Sequence, residues 1–199
     1  LRAGESAMGV KTFDCIALPY PARFAFDGAL PLPWPFVIMV HRTLLLRVRT
    51  EEGTKHVLFN PTDAERARTT PFFQKLAERI DVVAPFAERW LSRSYPSVEI
   101  QLASLGLSPD DIDLIAFDHF HTQDLRPLLG DGNGTPARFP RAHLLAPRSA
   151  WHHWDGLHPM QRPWFIADGK CGVPEERVVL FDGDVQLGVD TVAIVKLVA

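Results

Sequence analysis

The stretch Asp113-Leu-Ile-Ala-Phe-Asp-His119-Phe-His121-Thr-Gln123-Asp124-Leu125 decides how this chain is read. Its first half is a continuous apolar run of the length of a buried strand. The strand predicted over Ile112 to Phe117 leads into two histidines two residues apart, with a carboxylate close behind. In an extended chain, residues i and i+2 leave on the same face, so the imidazoles of His119 and His121 can meet at one point. Neutral imidazole is a good ligand for zinc, iron and similar ions. A plainer reading stands beside this one. The histidines bond to backbone at a strand end, and Gln123 and Asp124 cap the short helix or turn over Leu125 to Leu129.

Working outward, the chain divides into three stretches. Phe13 to Leu18 reads as a first strand, and Leu30-Pro-Leu-Pro-Trp-Pro35 as a proline-rich surface loop. Phe36 to Val48 is apolar and β-branched, one long strand or two joined at a bulge. Glu51-Glu-Gly53-Thr54 is a turn, and Lys55 to Phe59 completes a hairpin that Asn60-Pro61-Thr62-Asp63 ends. A helical stretch follows. Thr70-Pro71 marks a helix start, with Phe72, Phe73, Leu76 and Ile80 at helical spacing. Phe86, Trp90 and Leu91 suggest a second helix, and Val98 to Leu105 a third, stopped by Gly106. Ser108-Pro-Asp-Asp111 has the form of a capping box. After the histidines come a loop over Asp131 to Pro136, a strand over Ala142 to Ala146 and a helix starting at Ser149. Arg177 to Phe181 reads as a strand, Asp182-Gly183-Asp184 as a tight turn with Val185 to Leu187 returning from it, and Thr191 to Val198 as a last strand. Strands, then helices, then strands again predict a layered α/β domain without regular βαβ alternation.

Composition sets the class. The 199 residues, 46% hydrophobic and 23% charged, suit one globular domain with a sizeable core. A net charge of −3 with scattered Lys and Arg gives no footprint for nucleic acid. The longest apolar run, Pro31 to Val40, is too short and too proline-rich to span a membrane. Cys15 and Cys171 make no disulfide framework, and no secretory signal is visible, so the expected compartment is the cytoplasm. Residues 1–12 read as a loose, tag-like N-terminus and residues 13–199 as one domain.

These residues resemble the metallo-β-lactamase fold superfamily. The resemblance runs from Leu105-Gly-Leu-Ser-Pro-Asp-Asp-Ile-Asp through the strand to His119-Phe-His121-Thr-Gln123-Asp124, against the family's H-x-H-x-D-H. It continues through Phe139-Pro-Arg-Ala, Val179-Leu-Phe-Asp-Gly-Asp184 and Gly188 to Val195, and upstream His56-Val-Leu-Phe-Asn-Pro-Thr62 stands where the family often ends a strand in Asp-x-Gly. The resemblance implies an α/β fold, the αββα sandwich, of which this chain spans the N-terminal half to two-thirds and is incomplete at its C-terminus. It implies a metal-dependent hydrolase scaffold with one or two zinc or iron ions, activating water against an ester, lactone, thioester or amide of a small-molecule substrate.

Carried over by position, His119 and His121 match the first two metal ligands. Asp124 stands at the place of the motif's last histidine, a candidate third ligand and catalytic carboxylate. Gln123 replaces the Asp that binds a second ion, and an amide brings no charge to offset a cation. The family's next metal histidine follows the strand matching Thr191 to Val198. A half sandwich leaves an apolar sheet face open to self-association, so a homo-oligomer is an expected arrangement. The alternative function is a catalytically inert binding or assembly module of the same fold.

Other concentrations of chemistry weigh less. Asp118 is a candidate partner for a ligand imidazole, or a solvated loop carboxylate. Trp151-His152-His153-Trp154 and His158 suit a pocket rim, but suit better an ordinary helix packing its tryptophans inward. His143, His41 and His56 read as strand or surface histidines. Ser149 and Cys171 lack a base and an oxyanion donor in any motif. Gly130 to Gly134 is a turn cluster without the Lys-Ser/Thr of a phosphate loop.

Overall fold

The run from Phe36 onward forms one uninterrupted strand, and the bulge lies in its partner. A computed structural model of the chain describes residues 8–22, 36–83, 90–188 and 191–193. The first strand, β1 (Met8–Pro21), begins five residues before the predicted start. It pairs antiparallel with β2 (Phe36–Thr50), and the register slips between Asp14 and Ile16. β2 turns at Glu51 and Glu52 into β3 (Gly53–Phe59), the expected hairpin. Leu45 of β2 is buried with Phe13 of β1 in the core, while Val48, on the opposite face of β2, packs against Gly188.

The order of the main sheet is β4-β1-β2-β3-β5-β6-β7, with β4 (Arg93–Ser94) a short edge strand. β5 (Leu114–Ala116), β6 (His143–Pro147) and β7 (Val178–Phe181) join β3 in parallel. Their apolar runs are the mark of strands covered on both faces. Ile115, Phe117, Leu144 and Ala146 are buried with Phe139 and Leu58 in one core.

Helices sit in the crossovers. α1 (Ala64–Ala67) is capped by Asp63, whose carboxylate accepts from the backbone of Glu65 and Arg66. α2 (Pro71–Val83) starts at the predicted proline. The second helix expected around Phe86 lies largely outside the described residues. α3 (Val98–Ala103) starts at Ser97 and gives way to the turn at Gly106, as expected. The Ser108 capping box opens a single turn over Pro109–Asp111. α4 (Arg126–Leu129) buries Leu128 and Leu129, and α5 (Arg148–His153) follows β6 directly. No helix among the described residues is long and apolar enough to cross a membrane. Cys15 and Cys171 are free.

One expectation changes. Val185 to Leu187 does not return along β7. It belongs to β8 (Val185–Gly188), which pairs with β9 (Thr191–Ala193) in a separate two-stranded sheet against β2. β7 is the edge strand beside β6, but Gly183, at φ +76°, turns the chain out of the first sheet. Gly188 lies so close to Val48 and Arg49 of β2 that a side chain there would collide with both.

The long parallel step from β3 to β5 places the ends of both strands side by side. Asn60 follows β3, and Asp118 and His119 follow β5, at the carboxyl ends of these two central strands. Ligand sites of open α/β sheets form outside the carboxyl ends of strands.

Candidate functional site

His119 is oriented by its neighbour in sequence. Its Nδ1 lies 2.7 Å from Asp118 Oδ1, which leaves Nε2 free to accept a ligand bond. The backbone N–H of Asp118 donates to Asn60 Oδ1 at 2.9 Å. Asn60 is the hub of this floor. Its N–H donates to Ala116 O at 2.8 Å, and its carbonyl accepts from Thr43 Oγ1 at 2.9 Å and meets His41 Nε2 at 3.1 Å. It does so in the left-handed region, at φ +57°, which asparagine tolerates better than most residues. Burial pushes the Asp118 carboxyl up, but hydrogen bonding and charge from His119, with help from Asn60, outweigh it and hold the group below its ordinary value.

His121 sits beside His119, the ring centroids 5.2 Å apart and the planes nearly perpendicular. It stacks on Trp164 and meets the edge of Phe165. Burial lowers its pKa first, and the neighbouring His119 and His153 lower it further. The imidazole therefore stays neutral, the form that binds metal.

Asp124 is held elsewhere. Arg126 Nε donates to its Oδ1 and Arg126 Nη2 to its Oδ2, both at 2.8 Å, and the Arg126 backbone N–H donates to Oδ1 at 3.2 Å. Its side chain is 1% exposed. The second face of the Arg126 guanidinium is taken by Asp168 at 2.5 Å, and the two carboxylates push the Arg126 pKa up. Gln123 is buried and lines the cleft next to His119.

The cleft has a volume of about 600 Å³. Ile16, Leu18, Met39, Val40, Phe73 and Leu76 give it an apolar wall, and His41, Asn60, Asp118, His119 and Gln123 a polar floor. His41 and Asn60 are the site residues that motif reading missed. His41 has no partner within 15 residues, and only the strand pairing of β2 with β3 brings it to Asn60. The tryptophan cluster takes the plain reading in part. Trp154 is buried and donates to Ile166 O at 3.3 Å, while His153 meets Gln161 at 3.1 Å. His56 Nδ1 meets Asp111 O at 3.1 Å, and His143 borders a polar hollow with Lys55, Arg141 and Glu176.

Burial disfavours the charged form of His41 more than Asp118 favours it, so its pKa lies below the ordinary value. As pH falls below about 6.5 the unfolded chain takes up the proton first, and stability falls with it. His121 acts in the same direction. We expect urea unfolding to show lower stability at about pH 5.5 than at about pH 7.5, with a shallower loss in His41→Gln. An unchanged slope in the variant would remove His41 as a source.

Among the described residues the donor set offers part of a site for a metal ion. His119 and His121 present adjacent imidazoles, but among the described residues no group of three or more His, Cys, Asp or Glu side chains comes together as a metal site.

No family model matches the chain, and no curated protein matches it in sequence. Solved structures do match. A probable metal-dependent hydrolase from Staphylococcus aureus superposes with a TM-score of 0.57 at 12% identity, over 92% of this chain and 62% of that one. AidC, a dizinc quorum-quenching lactonase solved with the product N-hexanoyl-L-homoserine, gives 0.54 at 13% identity, over 90% and 60%. The hydrolase AbOPH of the beta-lactamase superfamily gives 0.53 at 13% identity, over 92% and 61%. The chain thus spans about three-fifths of the length of the structures it matches. The shared path of the chain identifies the architecture as the metallo-β-lactamase fold.

Proposed function

We propose that this chain carries the substrate cleft and the first metal histidines of a hydrolase of the metallo-β-lactamase type, acting on an ester, lactone, thioester or amide. The observation that carries this reading is the His119–His121 pair, set beside an apolar cleft with Asp118 fixing the His119 tautomer. His119 and His121 would hold zinc or iron. When bound, the metal supplies Lewis-acid polarisation of the scissile carbonyl and activation of water. Asp118 keeps the Nδ1 proton on His119 so that Nε2 is the ligand atom, and Trp164 and Phe165 fix the ring of His121. The apolar wall takes the hydrocarbon part of the substrate and leaves its carbonyl at the polar floor.

The test is metal content by plasma mass spectrometry, before and after reconstitution, beside a His119→Ala/His121→Ala variant. We expect zinc or iron bound by the wild type and lost from the variant, followed by hydrolysis of acyl esters that stops in the same variant. A second reading, an inert binding module of this fold, is favoured by the neutral Gln123 at the cleft. Absence of metal after reconstitution would establish it over the first.

A further inference from the structure

The geometry points to a centre that takes a single metal ion, with Asp124 excluded from the coordination sphere by Arg126. This rests on the proposed function, since it presumes that His119 and His121 hold an ion.

The carboxylate of Asp124 has little left to offer a cation. Both oxygens accept from the same guanidinium in the two-pronged geometry that carboxylate and arginine match best, and Oδ1 also accepts the Arg126 backbone N–H. Arg66 Nη1 lies 3.8 Å from Oδ2 on the remaining side. Arg126 cannot readily swing away, because Asp168 holds its outer nitrogen.

The backbone around Asp124 is pinned as well. The N–H of Thr122 donates to Trp164 O and the N–H of Leu125 to Gly169 O, each at 2.7 Å. Thr122 sits at φ +63°, a region costly for a β-branched residue, so the surrounding structure must hold this path. A Cβ on Gly169 would meet Gln123 O at 2.5 Å and Trp154 at 2.9 Å, which shows how closely the turn at Gly169 backs the segment. A slide of one residue, the move that would bring the Asp124 carboxylate to the face of Gln123, breaks these bonds together.

Charge gives the same answer. Two divalent ions in one centre repel strongly unless carboxylates lie between them. Here the residue nearest that role, Gln123, is neutral, Asp124 is neutralised by Arg126, and Asp118 is bonded to His119. Arg126 is thus an internal cation on the carboxylate that a second ion would use. AidC, with the same fold, holds two zinc ions.

The test uses the full chain stripped of metal by a chelator and titrated with zinc or cobalt(II) under equilibrium dialysis. The wild type is expected to saturate at about one ion per chain, as mononuclear sites do. Asp124→Asn is expected to keep the dissociation constant within about a factor of two. His119→Ala is expected to weaken binding by more than ~100-fold, the upper range for loss of a mere supporting partner. Should Asp124→Asn fold poorly, Asp124→Leu/Arg126→Met removes both partners at once and is expected to bind one ion with the wild-type constant. Saturation at two ions in the wild type would overturn the inference and leave the proposed function standing. A loss of ~10-fold or more in either Asp124 variant, with cooperative unfolding retained, would make Asp124 a ligand and overturn it as well. No uptake at all in the wild type would overturn both.

Discussion

Arg126→Met is expected to lower the free energy of unfolding by about 3–5 kcal/mol, the range for stranding one partner of a buried ion pair. Asp124 is 1% exposed and would lose both prongs of its fork. Water cannot reach it to take over, and Arg66, 3.8 Å away and half exposed, is a weak substitute. The pair itself is not the source of that energy. Desolvating two charges offsets much of their attraction, so removing both is far cheaper than removing one. Asp124→Leu/Arg126→Met should therefore recover most of the loss. Urea unfolding of the four proteins closes the cycle. A single-variant loss below about 1 kcal/mol would mean that Asp124 finds another partner and that the fork is not what holds it.

Arg177→Met is expected to cost about 3 kcal/mol, from the Leu129 and Ala142 carbonyls left without a donor, since Phe139 O keeps the Ala142 N–H. The guanidinium of Arg177 reaches from the start of β7 to Leu129 O at 2.7 Å, Phe139 O at 2.6 Å and Ala142 O at 3.1 Å through Nε, with a second bond to Ala142 from Nη2. All three carbonyl residues are buried. Burial pulls the Arg177 pKa down and Glu176 offsets this only in part. Lysine has one nitrogen on a flexible stem and cannot span three acceptors, so Arg177→Lys should restore less than half of the loss. Thermal and urea unfolding measure both. Full rescue by lysine would show that charge alone, and not the fork, does the work.

Much of this architecture was legible in the order of residues. The continuous apolar run before His119 reads as a covered strand, and the chain builds it as β5. The Ser108 capping box, Thr70-Pro71 and Gly106 mark their boundaries because each acts over three or four residues. The return at Val185 misled because a tight turn fixes only the direction of the chain. It does not fix which strand the returning segment pairs with, and β8 pairs with β9 although β7 is an edge strand. The imidazole pair was legible because i and i+2 suffice to place it. His41 and Asn60 were not, since 18 residues and a strand register separate them from each other, and 57 more from Asp118. The fork on Asp124 was hidden in plain view. Arg126 lies two residues away, but whether a carboxylate points to a cation beside it or to a point across the cleft depends on the pinned backbone of Thr122 and Leu125.

The parallel join of β3 to β5 has a further consequence. β1, β2 and β3 are successive hairpin partners, whereas Phe59 reaches its neighbour Ala116 only across the whole helical stretch between them. Local contacts form early and distant ones late, because closing a long loop costs entropy before any contact rewards it. The seam between these two strands is therefore a late contact of the sheet, as is the still more distant pairing of β1 with β4. Ile16, Leu18, Met39, Val40 and His41 of the cleft belong to one side of that seam and His119 and His121 to the other, so the site is assembled when the seam closes and not before.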